Sequence, residues 1–251
     1  MDVEALVAVR HDARPIAPPS ERRALTVSEA YAVQDRLRET LVARGERVVG
    51  WKVGLTTRAA QSQVGVEEPV SGFLLANGMF ASGRDIPFTR FAGLAVEAEM
   101  ALVMKRELAG PGVTAPRALL AVEGAQPALE LVDFRFTGKP VGTDMIADGV
   151  YANAIVLGQT LTDITHIDLA LEGLVYELNG TVAATATAAE VMGNPVNSLV
   201  WLANHLGSRG IGLRAGDVVM TGSVSVLLRP KAGDAVRAAY TRLGAVAARF
   251  V

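Results

Sequence analysis

Glu97 and Glu99 stand one residue apart in an otherwise apolar run, Gly93-Leu-Ala-Val-Glu-Ala-Glu-Met-Ala-Leu-Val-Met104. In a strand, side chains alternate between faces, so both carboxylates point the same way. They share that face with Ala95, Ala101 and Val103, while Val96, Ala98, Met100 and Leu102 take the other. Neither face reads as solvated. Two carboxylates on a dry face need a cation, and a divalent metal is the natural one. Glu130, in Pro127-Ala-Leu-Glu-Leu-Val-Asp133, repeats the pattern, with Ala128, Val132 and Phe134 on its face. Three carboxylates with waters make a hard-oxygen site suited to Mg2+ or Mn2+. The competing reading places each acid on a rim or against an arginine such as Arg135.

Lys52, between two glycines in Gly50-Trp-Lys-Val-Gly54, is the next candidate. A half-buried ammonium there could polarise a carbonyl or stabilise an enolate; alternatively, it is an edge-strand lysine that discourages aggregation. Asp148 precedes Gly149, and Asp-Gly is first of all a turn signal. The hydroxyls of Thr221 and Ser223 flank Gly222 in a loop that either presents backbone N–H groups to an anion or is a plain turn. His11, His166 and His205 lie far apart with no ligand spacing. Gly50-x-x-x-Gly54 lacks the downstream Lys-Ser/Thr of a phosphate loop, and no Gly-x-Gly-x-x-Gly is present.

The elements that must position these residues can be read in outline. A helix over Asp2–Asp12 is broken by the three prolines of Arg14-Pro-Ile-Ala-Pro-Pro19. Thr26-Val-Ser-Glu29 is a capping box opening a second helix through Ala30, Val33, Leu37 and Leu41, ended by Gly45. Residues 1–46 therefore read as a small helical lobe and 47–251 as a β-rich catalytic domain. In the latter, strands are expected at 48–55, 72–75, 93–104, 126–136, 152–157, 174–178, 181–185, 218–221 and 245–251. Asn179-Gly180 marks a hairpin, and helices are expected at 57–63, 115–122 and 195–206, the last with proline in its first turn. Without regular βα alternation, a doubly wound sheet is disfavoured and a β-dominated α+β fold expected.

Composition narrows the partners. At 251 residues the chain can bury a large core. A net charge of −2 gives no electrostatic footprint for nucleic acid. The absence of cysteine rules out disulfides and thiolate metal sites and fits a reducing compartment. An acidic start and the lack of any long apolar run argue against a secretory signal or a membrane span. A cytoplasmic protein is the default expectation.

Several segments together resemble a known family: Val49-Gly-Trp-Lys-Val-Gly-Leu-Thr56, Gly65-Val-Glu-Glu-Pro69, Val96-Glu-Ala-Glu99, Pro127 to Asp133, Gly193-Asn-Pro-Val-Asn197 with Trp201-Leu-Ala-Asn204, Ala215-Gly-Asp217 with Thr221-Gly222, and Leu243 to Phe250. The chain resembles the 2-hydroxypentadienoate (2-oxopent-4-enoate) hydratase and 4-oxalocrotonate decarboxylase family of the fumarylacetoacetate hydrolase superfamily. The resemblance implies a mixed β-sandwich-like roll with Mg2+ or Mn2+ held by Glu97, Glu99 and Glu130. It implies Lys52 beside the 2-oxo group of an unsaturated 2-oxo acid from aromatic meta-cleavage, and cytoplasmic homo-oligomers. From the enolate such a site stabilises, water can add to an alkene, CO2 can leave, or an acylpyruvate C–C bond can be hydrolysed.

The chain departs from the family where that choice is made. Hydratases of this kind carry Pro-Asp-Phe/Tyr-Gly where this chain has Pro69-Val-Ser-Gly72. Val70 is decarboxylase-like, whereas Ser71 replaces the aromatic residue of both branches. Ala-Asp-Asn-Ala-Ser becomes Ala147-Asp-Gly-Val-Tyr151. Asp148 is kept and joins Lys52 as a candidate catalytic residue, while Tyr151 either fills the pocket or supplies a phenol. Val70, Ser71, Tyr151, Thr221 and Ser223 are the candidate substrate contacts. Hydratase and decarboxylase readings both stand; the alternative from another class is a non-catalytic partner of a related pathway enzyme.

Overall fold

The computed structural model describes residues 3–251, so Asp2, the expected start of the first helix, lies outside the described residues. Helix α1 (Val3–Asp12) leads to α2 (Val27–Ala43), which begins at the expected capping box: the Thr26 hydroxyl accepts from the Glu29 N–H and the Glu29 carboxylate accepts from the Thr26 N–H. Strand β1 (Val48–Gly54), helix α3 (Arg58–Val64) and strands β2 (Val70–Leu75), β3 (Met79–Ala81) and β4 (Asp85–Ile86) follow. Then come β5 (Leu94–Met104), α4 (Ala115–Leu119), β6 (Val122–Asp133), α5 (Gly142–Asp148) and β7 (Ala152–Leu157). The chain continues through β8 (Gly173–Leu178), β9 (Thr181–Thr187), α6 (Pro195–Ser208), β10 (Val218–Ser223), β11 (Ala235–Tyr240) and β12 (Gly244–Phe250). Asn179 and Gly180 both take positive φ between β8 and β9, as a tight hairpin requires.

Seven strands pair in the order β2-β1-β10-β5-β6-β7-β3 and five in the order β4-β12-β11-β8-β9. In the larger sheet β1–β10 and β3–β7 are parallel and the other pairs antiparallel, a mixed sheet as expected. Register fixes the faces, because directly paired residues point the same way. Lys52 pairs with Gly72 and Met220, Met220 with Ala101, and Glu97 with Glu130. Lys52 and the three glutamates therefore share one face. Along a flat sheet β1 and β6 would lie three strand spacings apart, about 14 Å, beyond the reach of a lysine side chain. Lys52 Nζ nevertheless lies 2.6 Å from Glu130 Oε1. The sheet must curl, and it does: β2 meets β7, with the charged residues on the concave side.

The convex side is buried by the second sheet, whose β11 and β12 pack on β6. The Tyr176 hydroxyl of β8 donates to the Val96 carbonyl at 2.9 Å. Leu102, Leu129, Leu131, Val236, Val246 and Phe250 belong to this core, which α1 and α2 join through Leu6, Val7, Leu37 and Leu41. A separate cluster including Leu74, Ala101, Ala128, Ile155 and Met220 lines the concave side. Among the described residues no helix is long and apolar enough to cross a membrane.

Four departures from expectation have local causes. Helix α4 stops at Leu119 instead of 122, because Val122 already pairs with Met104 as β6 begins. β6 stops at Asp133 instead of 136, opposite Leu94 where its antiparallel partner β5 begins, and the Asp133 carboxylate accepts the Gly93 N–H at 2.8 Å. Asp148-Gly149 closes a helix rather than forming a free turn, with Gly149 as its left-handed cap at φ +81°. β3, β4 and β11 were not expected; the first two are three and two residues long, and alanines mask the alternation of β11.

Candidate metal centre and active site

The antiparallel register of β5 and β6 sets Glu97 opposite Glu130, and Glu99 follows two residues on. One oxygen from each carboxylate lies within 4.8 Å of the other two. Oxygens at about 2.1 Å from one Mg2+ are at most about 4.2 Å apart, so a slight tightening suffices. Glu99 and Glu130 are buried, and Glu97 is half-buried. Glu99 Oε2 accepts the Gly222 N–H at 2.9 Å, whereas Glu99 Oε1 and Glu130 Oε2 have no hydrogen-bond partner. Buried acceptors left unpaired are costly, and a cation among the three carboxylates would satisfy them. The donor set fits a hard divalent ion.

Lys52 is 2% exposed and belongs to the same cluster. Its Nζ donates to the Val150 carbonyl at 3.0 Å besides its 2.6 Å contact with Glu130. An edge role is excluded, since β1 pairs on both sides. An ammonium has three N–H donors, so one is left for a bound molecule. Burial, then the charge of Glu130, pushes Glu97 up to about 7, and the same causes push Glu99 well above the carboxylate range. Burial works to lower Lys52, but Glu130, Glu97 and Glu99 outweigh it and hold the ammonium above its usual value. Fully ionised, the four groups carry a net charge of −2, which one divalent cation balances.

The Val150 carbonyl reaches Lys52 from a left-handed turn, with φ of +81°, +58° and +57° at Gly149, Val150 and Tyr151. Such backbone costs about 1–3 kcal/mol per non-glycine residue, and a β-branched valine is a marked outlier there. Surrounding contacts hold it. Arg135, fully buried, pairs with Asp148 and, at 3.2 Å, with Asp133, and donates to the Ala152 carbonyl at 2.6 Å. Arg10 of α1 reaches the Asp148 carboxylate and its backbone carbonyl and donates to Ala152 at 2.9 Å. Asp148, a candidate catalytic residue from the sequence, has both carboxylate oxygens engaged by arginines.

Two glycines make room for this turn. A Cβ on Gly54 would lie 2.7 Å from a Val150 methyl, and one on Gly72 would lie 2.3 Å from the Gly149 carbonyl oxygen. Gly72→Ala is expected to destabilise the protein by about 1–3 kcal/mol through overpacking. In a urea titration this reads as a lower midpoint at unchanged slope; an unmoved midpoint would show that the turn yields freely.

Geometry alone leaves the lineage open; comparison with known proteins closes it. The Fumarylacetoacetate (FAA) hydrolase C-terminal family model matches residues 46–251. The chain belongs to the fumarylacetoacetate hydrolase family. A 4-oxalocrotonate decarboxylase of Pseudomonas putida is 33% identical over 228 residues, covering 90% of this chain and 86% of that protein. A 2-hydroxyhexa-2,4-dienoate hydratase of Comamonas testosteroni is 32% identical over 98% of this chain and 95% of its own length. The solved 4-oxalocrotonate decarboxylase from Pseudomonas putida G7, complexed with magnesium and adipate, superposes with a TM-score of 0.95 at 31% identity, over 99% of this chain and 95% of that one.

On this fumarylacetoacetate hydrolase scaffold, the remaining candidates divide by face. Val70 lies on the Lys52 side, where its methyl and that of Val150 flank Gly54. Ser71 pairs with Val53 and so faces away from Lys52, a correction that follows from strand alternation. Its N–H donates to the Tyr31 hydroxyl and its carbonyl accepts from Gln34, both on α2. Tyr151 packs its ring 5.0 Å from Phe134 and 5.8 Å from Phe136. Burial, then the Asp148 charge, pushes its phenol well above the ordinary value, which suits filling rather than proton transfer. The Thr221 hydroxyl is committed to the Met100 carbonyl at 3.0 Å and that of Ser223 to the Ser225 carbonyl at 2.9 Å.

Residues 221–223, expected as a loop, are the end of β10, and the anion served there is Glu99 itself, through the Gly222 N–H. That glycine, at φ +117° and with Thr56 Cγ2 2.5 Å from where its Cβ would stand, admits no side chain. His205 stacks on Trp201 at 4.7 Å; burial, then Arg209, lowers it to about 4 and keeps it neutral, apart from the glutamates. A groove of about 790 Å3 between α1, α2 and the proline segment is lined by apolar residues, three arginines and Glu29, and among the described residues holds no cluster of metal ligands. Volume alone would point away from the chemistry. Arg10 and Arg135 were missed as site components because their partner Asp148 is 138 and 13 residues distant in sequence.

Proposed function

We propose that this chain is a divalent-metal-dependent lyase acting on an unsaturated 2-oxo acid of the kind produced by aromatic-ring meta-cleavage. The observation that carries this is one concave face bearing Glu97, Glu99, Glu130 and Lys52, with orphaned buried oxygens, in a fumarylacetoacetate hydrolase family chain. Mg2+ or Mn2+ held by the three glutamates would supply Lewis-acid polarisation of a bound carbonyl. Lys52 does the rest of the electrostatic work: its spare N–H donates to the keto oxygen and strengthens as enolate charge develops there. Glu130 and Val150 hold the ammonium so that little reorganisation is needed. Asp148 acts through the turn as a positioning residue, and Val70 and Val150 form an apolar wall near Lys52.

Hydration of a 2-oxopent-4-enoate-type acid and decarboxylation of a 4-oxalocrotonate-type acid both draw on this electron sink. Adding water needs a proton-transfer group near the alkene. Val70 stands where hydratases resembling this chain carry an acid, and Asp148 is engaged by two arginines, so the geometry favours loss of CO2. The cytoplasm, homo-oligomeric assembly and a helical lobe over residues 1–46 complete the reading. Purified protein with Mg2+ is assayed on 2-hydroxypenta-2,4-dienoate, 4-oxalocrotonate and maleylpyruvate. Turnover of 4-oxalocrotonate at the highest kcat/KM is expected. Faster turnover of the dienoate makes the chain a hydratase, faster turnover of maleylpyruvate makes it a C–C hydrolase, and no turnover of any of them overturns the proposal.

A further inference from the structure

We infer that Arg10, on the first helix, is a positioning residue for Lys52, acting through a buried ion cluster and the left-handed turn that follows α5. The inference deepens the reading of Lys52 given above and rests on it. Arg10 and Arg135 face Asp148 and Asp133, two positive charges against two negative, so the cluster is neutral when complete. Arg10 bridges both ends of the turn: its guanidinium reaches the Asp148 backbone and carboxylate before Gly149 and the Ala152 carbonyl after Tyr151. Arg135 grips the same two ends, and adds the Tyr151 carbonyl at 3.4 Å.

Backbone bonds also hold the clamped segment, Val150 N–H to the Met145 carbonyl at 2.7 Å and Asp133 N–H to the Tyr151 carbonyl at 3.0 Å, but the arginines are the side chains that tie its two ends together. Val150 and Tyr151 occupy a region that L side chains avoid, so without the clamp the chain has reason to relax. Relaxation would move the Val150 carbonyl, the neutral acceptor that aims Lys52 Nζ. Asp133 extends the anchoring, since its carboxylate also accepts from Asn153, which in turn accepts from Arg90. The side chain of Arg10 is 10% exposed and its guanidinium carbon lies over the Phe73 ring, 5.8 Å from the centroid, so the guanidinium is held in place rather than free in solvent. A planar fork is what this task needs, because a single ammonium cannot reach both ends of the turn.

The test compares Arg10→Met and Arg10→Lys with the parent, all in the full chain. Two readouts do not depend on the reaction: the rate at which acetic anhydride labels Lys52, measured by mass spectrometry against the exposed Lys139 and Lys231, and Mn2+ affinity by calorimetry. In Arg10→Met, Lys52 labelling is expected to rise about tenfold relative to the control lysines, while kcat falls about 10- to 100-fold, the cost of a misplacement near 1 Å. KM and Mn2+ affinity should stay within about twofold. Arg10→Lys, which keeps the charge, should fold as the parent does yet recover only part of kcat. Unchanged labelling and kcat in Arg10→Met overturn the inference. So does a parallel loss of kcat, Mn2+ affinity and thermal stability, which marks a purely structural residue. Faster labelling of Lys52 in Arg10→Met, with a parent that turns over no 2-oxo acid, would uphold the clamp and instead defeat the functional reading.

Discussion

Replacing Glu99 by glutamine is expected to remove Mn2+ binding and turnover together. The amide keeps the shape of the side chain, and its oxygen can still accept the Gly222 N–H that Glu99 Oε2 accepts at 2.9 Å. What changes is charge: the cluster with Lys52 goes from −2 to −1, and an NH2 group, which cannot ligate a cation, takes the place of the buried oxygen that lacks a donor in the parent. The loss of affinity should exceed the roughly 10- to 100-fold that removal of an outer partner costs a metal site. Turnover should fall at least about 1,000-fold, or about 4 kcal/mol at 1.36 kcal/mol per decade. Calorimetry with Mn2+ and a single-turnover assay check the pair of effects, and undiminished Mn2+ affinity would refute the ligand assignment.

The same carboxylates give the metal-free protein a characteristic response to pH. Burial, then Glu130, raises Glu97 to about 7, above its value in the unfolded chain. A carboxyl raised on folding favours the folded state while protonated. That contribution is complete below the unfolded value and is lost as pH rises through about 7. Stability in EDTA should therefore decline between about pH 5 and pH 8. Added Mn2+ should stabilise the fold more at pH 8 than at pH 6, where protons compete for the same oxygens. Thermal melts at the two pH values, with and without Mn2+, make the comparison; a larger metal effect at pH 6 would contradict it.

Much of this centre could be read from the chain because strand periodicity is a local property. Glu97 and Glu99 share a face by virtue of a two-residue spacing, and Glu130 has the same apolar neighbours on its own strand. The direct pairing of Glu97 with Glu130 needed only β5 and β6 to be neighbours. The Lys52–Glu130 contact was different in kind: it depends on the curl of a sheet in which three strand spacings separate β1 from β6, and no spacing in the sequence encodes that. Ser71 was misassigned although alternation with Lys52's partner Gly72 would have placed it on the other face, had the register of β1 and β2 been known. Asp148 read as a turn residue because Asp-Gly serves a hairpin and a helix C-cap equally well. Its true partners, Arg10 and Arg135, are brought to it by tertiary structure alone.

Lys52→Met separates the chemistry of this face from its capacity to hold a cation. Losing the ammonium leaves three carboxylates and a site charge of −3, so Mn2+ should bind at least as tightly as to the parent. Turnover should nevertheless fall about 100- to 1,000-fold, the range for removing one donor aimed at a developing oxyanion. Stability should reveal the same division. Without metal, Glu130 loses its 2.6 Å partner and the Val150 carbonyl its donor. Breaking a buried pair in this way costs about 3–5 kcal/mol. Mn2+ at about 1,000 times its Kd adds about 4 kcal/mol by mass action, so the variant's melting temperature should be low in EDTA and, in Mn2+, close to that of the metal-free parent. Lys52→Arg should not rescue turnover, because a planar guanidinium is wider than the single ammonium held between Glu130 and the Val150 carbonyl. If Lys52→Met lost Mn2+ affinity in proportion to turnover, Lys52 would be part of the cation site's construction. Turnover lost with Mn2+ retained, set against Glu99→Gln losing both, assigns the cation to the glutamates and the developing charge to Lys52.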